Sequence, residues 1–251
     1  MPNTVAPVAF VAGAPVAFVA GAPVAFVAGA TGYTGRAVVA ALRGAGCTVH
    51  AHVRPDSPSV ERWRGEFGAL GAKVDTTPWD AAALTERLRE LQPGAVFALL
   101  GTTRQRGAKD GGTYETVDFG LTAMLLEAVQ KADLRPRFVY LSATGVRPGG
   151  RPGSYMEVRW RFEQALMRSG VPYTIARPAI ITGPDREGSR PMERLGASVG
   201  DGLLGLVGAL GGRGLEARFR STTAGRLGAA LSRLAFDPAA ANTIAEGGVL
   251  R

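Results

Sequence analysis

Between residues 24 and 43 an apolar run, Val24–Ala28, passes without a break into Gly29-Ala30-Thr31-Gly32-Tyr33-Thr34-Gly35. It then enters Tyr33–Arg43, where apolar residues recur at helical spacing. A buried strand, a glycine-rich turn and a helix in immediate succession predict the first half of a βαβ unit. Glycine at 29, 32 and 35 removes β-carbons where the chain must turn and where pyrophosphate oxygens approach the backbone. The alternative is a plain structural turn. Placed between a strand and a helix, the pattern points to a dinucleotide site with Gly29, Thr31, Gly32, Tyr33, Thr34 and Gly35 as binding residues.

The alternation continues beyond this unit. Cys47–Val53, Lys73–Thr76, Ala95–Leu100, Phe138–Ser142 and Tyr173–Ala176 read as strands, and Ala81–Leu91, Thr113–Lys131, Ser154–Ser169 and Thr223–Leu234 read as helices. This order predicts an α/β fold: a Rossmann-type, doubly wound, mostly parallel sheet with helices on both faces and the ligand crevice at the carboxyl ends of the strands. The octapeptide Pro-Val-Ala-Phe-Val-Ala-Gly-Ala begins at Pro7, Pro15 and Pro23. Only the third copy runs into the glycine turn, so residues 1–22 are expected to be a repeated appendage. Residues 23–251 are expected to form one NAD(P)-binding domain whose part from about residue 178 covers the substrate side.

No charged residue precedes Arg36, yet a membrane span or signal peptide is not expected there. There is no basic leader segment, and a proline every eighth residue interrupts any continuous helix. Gly196–Gly214 carries Leu203, Leu204, Leu206, Val207 and Leu210 at helical spacing and reads as a helix over the substrate crevice, with a membrane-surface or homodimer contact as the alternative. The net charge of +8 is spread in short arginine pairs rather than gathered on a face, so a nucleic-acid partner is not expected. Cys47 is the only cysteine, which excludes a disulfide framework and fits a reducing cytoplasm. Trp160 and Phe162 are expected to pack against the core rather than to stack on bases.

The end of the second predicted strand bears on the cofactor. An acid there accepts hydrogen bonds from the ribose 2′-hydroxyl of NAD, whereas an arginine pairs with the 2′-phosphate of NADP. Val53 is followed by Arg54, so NADP(H) is the expected cofactor; the alternative is a solvated arginine with Asp56 nearby. His50 and His52, two residues apart, are expected to share one sheet face, and without cysteine or carboxylate companions no metal is expected.

Several further segments carry a family resemblance: Phe97–Arg104 with its Leu-Gly-Thr-Thr-Arg, Val117-Asp118, Phe138–Gly145, Arg177-Pro178 and Asp185–Pro191. Together with the G-x-x-G-x-x-G spacing, these make residues 23–195 resemble the atypical short-chain dehydrogenases of the Tat-interacting-protein type, related to NmrA-like proteins. The resemblance implies that Gly101 and Thr102 line the nicotinamide-side ribose, and that Arg177 and Pro178 shape the nicotinamide and substrate wall; the alternative for Arg177-Pro178 is a plain turn. It also implies a serine after the fifth strand and a Tyr-x-x-x-Lys helix. Here the matching residues are Ser142, Tyr155 and, at the lysine position, Arg159. The implied activity is an NADP(H)-dependent oxidoreductase on an unidentified carbonyl or alcohol. Tyr155 would donate the proton, Ser142 would position the carbonyl and Arg159 would supply the cation beside the cofactor. Two alternatives stand beside it: a non-catalytic NADP(H)-binding regulatory or redox-sensing protein, and a site in which Tyr155 merely packs while Arg159 forms a surface pair.

Overall fold

A computed structural model describes residues 21–101, 112–179, 181–182 and 222–251. The chain runs β1 (Val24–Ala28), α1 (Tyr33–Gly44), β2 (Thr48–His52), α2 (Val60–Ala69), β3 (Lys73–Asp75), α3 (Ala81–Leu91) and β4 (Ala95–Ala98). A π-helical segment (Tyr114–Leu121) then winds into α4 (Thr122–Lys131), followed by β5 (Arg137–Leu141), α5 (Tyr155–Arg168), β6 (Tyr173–Arg177), β7 (Ile181–Thr182), β8 (Thr222–Thr223), α6 (Ala224–Phe236) and β9 (Thr243–Glu246). Short 3₁₀ turns at Pro238–Ala240 and Gly247–Leu250 flank β9.

Among the described residues, seven strands form one sheet in the order β3-β2-β1-β4-β5-β6-β9, and every pairing in it is parallel. Strand order reverses at β1, where the chain first goes outward to β3 and then returns to β4. Such a switch point leaves a crevice at the carboxyl edge, between the loops that follow β1 and β4. Alternation along each strand feeds two cores. Val27, Phe97 and Val139 point to the face covered by Val38 and Leu42 of α1 and Leu227 and Leu231 of α6. Phe26, Val96, Phe138 and Ile175 point to the opposite face, under Leu84, Leu125, Phe162 and Leu166 of α3, α4 and α5. Each such leucine or phenylalanine taken from water contributes about 1.5–3 kcal/mol. α1 and α6 cross so closely that a β-carbon on Gly228 would lie 2.7 Å from the Ala37 backbone.

Helix starts follow local chemistry. Asp80 accepts from the Ala83 N–H at 2.9 Å, and Ser154 accepts from the Glu157 N–H at 3.4 Å. Thr113 and Thr116 cap each other reciprocally before the π-helical segment.

Three features differ from the sequence expectations. The stretch Thr113–Lys131 is not one regular helix, because Tyr114–Leu121 winds as a π-helix before α4 begins. Helix α2, absent from the expectation, is held by Trp63 and Phe67, an i,i+4 pair stacked with ring centroids 5.3 Å apart. The apolar tail before Leu250 supplies β9, whose approach is set by the Asn242 N–H donating to Tyr173 O at 2.7 Å. The octapeptide copies before Gly21, Thr102 and the expected Gly196–Gly214 helix lie outside the described residues.

Candidate functional site

The glycine turn is shaped by backbone crowding. Gly29 has φ +81°, and a β-carbon there would lie 2.6 Å from the Leu99 carbonyl oxygen at the end of β4. One on Gly35 would lie 2.1 Å from the Gly29 carbonyl oxygen. No side chain fits either place, so these two glycines are required by close approach. Gly32 donates its N–H to Gly29 O at 3.0 Å and then serves as the N-cap of α1. That cap has no side-chain acceptor, and the first turn has no acid, so the positive end of the helix is not neutralised locally. Thr31 and Tyr33 are half-buried at the rim, while Thr34 is buried beneath them. The cradle fits a dinucleotide pyrophosphate in both shape and charge.

Next to it stands the end of β2. Val53 is buried and donates to Asp75 O at 2.8 Å, which turns Arg54 outward. The Arg54 side chain is 53% exposed, and among the described residues its ion pair is with Asp56, at 3.9 Å. His50 and His52 are both buried, on one face of β2 as expected. His52 Nε2 lies 2.7 Å from Thr77 O, and His50 Nδ1 lies 4.0 Å from Asp75 Oδ2. Burial lowers both imidazole pKa values; Arg87 adds to the effect at His50.

On the far side of the crevice, the loops after β5 and β6 are laced together, with Ser142 N–H donating to Ala176 O at 2.7 Å and Thr144 N–H to Pro178 O at 3.0 Å. Ser142 is buried, and its hydroxyl donates to Glu163 Oε1 at 2.5 Å. Glu163, fully buried on α5, also accepts from Arg177 at 3.0 and 2.5 Å, and Arg177 reaches Glu246 on β9 at 3.2 Å. The Arg177 guanidinium is therefore engaged with carboxylates of α5 and β9. Its hydrogen bonds to Glu163, outweighing burial, raise its pKa further.

Ser154 opens α5 and places Tyr155 in its first turn. The half-buried Tyr155 ring meets Tyr114 edge to face, with centroids 5.3 Å apart. Arg159, one turn later, sits with Cζ 4.6 Å from the Tyr155 ring centroid. A surface pair at Arg159 is ruled out, because the residue is only 4% exposed. It pairs with Asp118 at 2.9 Å, bonds the Leu141 carbonyl, and reaches Tyr140 Oη at 3.3 Å and Leu100 O at 3.4 Å. Burial opposes its charge, but Tyr140, Tyr155 and Asp118 outweigh burial and raise its pKa. Gly101 lies directly above: a β-carbon there would meet Arg159 Nη2 at 3.3 Å and Asp118 Oδ1 at 3.7 Å. Phe162 is fully buried as expected, and Trp160 is half-buried.

The structure thus brings Gly29–Gly35, Gly101, Ser142 and Tyr155 to one carboxyl edge of the sheet, with Arg54 at the same edge beyond β1. Asp118, Glu163 and Tyr114 were not singled out from the sequence as site residues. The first two left a trace there: Asp118 interrupts an apolar stretch, and Glu163 falls four residues after Arg159, on a helix face that otherwise buries Val158, Phe162 and Leu166.

The sequence profile of a family described as NAD(P)H-binding matches residues 29–202. No curated protein matches the chain. Among solved structures, the terminal R domain from the myxalamid PKS-NRPS biosynthetic pathway is 19% identical, with a TM-score of 0.62, and the match covers 90% of this chain and 66% of that one. AtPrR2 with NADP+ and (+)pinoresinol is 15% identical, with a TM-score of 0.64 and coverage of 90% and 70%. An isoflavone reductase is 17% identical, with a TM-score of 0.62 and coverage of 89% and 69%. At these identities the likeness is one of fold, and the chain spans about two thirds of the length of these neighbours.

Proposed function

The chain belongs to the NAD(P)H-binding family, and from that premise we propose that it is an NADP(H)-dependent oxidoreductase acting on a carbonyl or alcohol. The observation that carries this reading is the placement of Tyr155. Its half-buried phenol opens a helix at the same sheet edge as the glycine cradle, above a buried cation. The cofactor, when bound, supplies or accepts the hydride. The backbone of Gly29–Gly35 and the start of α1 hold the pyrophosphate, Arg54 reads the 2′-phosphate, and Gly101 lets the nicotinamide-side ribose approach the end of β4. Tyr155 exchanges the proton at the substrate oxygen. Ser142, whose own proton goes to Glu163, offers lone pairs to that phenol or to a hydroxyl of the substrate. Arg177 and Pro178 brace the wall beside it. The remaining proposals are a cytoplasmic location and a domain beginning at the third octapeptide copy; among the described residues no helix is long and apolar enough to cross a membrane.

One observation favours the second reading, a non-catalytic NADP(H)-binding protein: Arg159 and Ser142 are both engaged by buried carboxylates. NADPH consumption against an aldehyde, ketone and quinone panel separates the two. An enzyme turns over at least one class and loses on the order of a hundredfold in Tyr155→Phe, the scale of a positioned proton donor. In that case Arg159→Lys retains activity and Arg159→Met loses most of it. Tight NADPH binding with no turnover on any class supports the second reading, and activity unchanged in Tyr155→Phe shows that another group donates the proton.

A further inference from the structure

We propose that Asp118 is a positioning residue for Tyr155, acting through the Arg159 guanidinium. The π-helical segment also meets α5 through Glu115 and Phe119, which engage Arg161 and Phe162, but on the side of Tyr155 the contact is made by two rungs spaced four residues apart on each element. The outer rung is aromatic, Tyr114 against Tyr155 at 5.3 Å. The inner rung is ionic, Asp118 to Arg159 at 2.9 Å. Arg159 joins the rungs, because its Cζ lies 4.6 Å from the Tyr155 centroid.

The inner rung is an internal strut. Asp118 is 1% exposed and Arg159 4%, so both charges have left water. Such a pair survives only with close geometry and further hydrogen bonds. Those bonds go to the backbone of the site itself: one guanidinium edge reaches the Leu141 carbonyl at the end of β5, and the other reaches Leu100 O, just beyond β4. The ends of β4 and β5, the π-helical segment and α5 are thereby tied at one point beneath Gly101. The segment that carries Tyr114 and Asp118 is π-helical, a winding that recurs at functional sites. Without Asp118 the guanidinium keeps its carbonyl partners but loses its anchor on the π-helical segment, and the Tyr155 ring loses the support that fixes its tilt.

The role of Tyr155 in this inference rests on the oxidoreductase reading, but the strut can be tested without turnover. The near-ultraviolet circular dichroism of the protein minus that of Tyr155→Phe isolates the signal of the held Tyr155 ring. The same difference taken in an Asp118→Asn background is expected to lose most of its amplitude, while the NADPH Kd stays within about threefold, since the cradle is made elsewhere. Asp118→Asn is expected to lower Tm by about 10 °C, as breaking a buried pair does. If that variant does not fold, the double variant Asp118→Leu, Arg159→Met replaces the ionic rung with an apolar one and recovers stability without recovering the Tyr155 signal. A Tyr155 signal that persists at full amplitude in either background overturns the proposal. So does the lack of any such signal in the unaltered protein. Loss of the signal together with full turnover in Tyr155→Phe would leave the strut standing and remove the proton-donor reading.

Discussion

The guanidinium of Arg54 and that of Arg159 show how position decides what a charge does. Arg54 stands half in water at the end of β2 with a distant acid, so its interaction with Asp56 is worth little and it is available to a ligand. Arg159 is enclosed, and its terminal nitrogens are divided among one carboxylate, two carbonyls and a phenol. Replacing Arg54 with alanine is therefore expected to leave Tm unchanged and to weaken NADPH about tenfold to hundredfold, while NADH is scarcely affected; a charge-assisted phosphate contact is worth about 1.5–3 kcal/mol. Calorimetric titration of both cofactors checks this, and equal affinities for NADPH and NADH in the unaltered protein would remove Arg54 from the site. The positions of Arg54 and Arg159 could be read from their neighbours in sequence. Their partners could not, because Asp118 lies 41 residues before Arg159 and its reach depends on how two helices are rotated.

At the scale of elements, β2 carries a pH response. Its two imidazoles are buried, with Asp75 acting on both and Arg87 and Lys73 on His50, and burial favours their neutral form. Their folded pKa values lie below the ordinary 6.5, so below that pH the unfolded chain binds more protons than the folded one. Stability then falls as pH drops from about 7 toward 5, by up to about 1.4 kcal/mol per pH unit for each histidine. Asp75 does not contribute in that window. Burial raises its pKa, but hydrogen bonds from Thr77 and Arg87 outweigh burial, so its stabilising effect is lost only as pH falls below its ordinary 3.8. Thermal melts at pH 7, 6 and 5 are expected to show the fall, and His52→Phe is expected to flatten it while lowering Tm at pH 7. A melt independent of pH in this window would show that the imidazoles titrate normally. The strands and helices themselves were legible because each has a clear period and a stop signal. Helix α2 and β9 were not: one rests on a single aromatic pair, the other on four residues whose strand character comes from pairing with β6.

At the scale of the molecule, the threefold octapeptide raises the question of which copy belongs to the fold. All three carry the same Val-Ala-Phe-Val-Ala, so apolar pattern alone cannot choose among them. The glycine turn follows only the third, and β1 lies in that copy, buried from Ala25 to Ala28 between β2 and β4. Deleting residues 2–16 is accordingly expected to preserve the circular dichroism spectrum and to keep the NADPH Kd within about twofold, since the strand and its turn remain. Loss of folded protein on that deletion would show that the earlier copies contribute structure.

What the sequence determined by itself was the alternation of strand and helix, the reversal of strand order it implies, and the dinucleotide turn. All three are written in local periods and in glycines where a β-carbon would collide with backbone. The tertiary structure decided which charges meet. Ser142, Glu163, Arg177 and Glu246 come from the loop after β5 and from α5, β6 and β9, and the groups around Arg159 are gathered from equally distant parts of the chain. Their pairing depends on sheet register and helix rotation to within a few ångströms, quantities that emerge only when two cores pack against the same sheet.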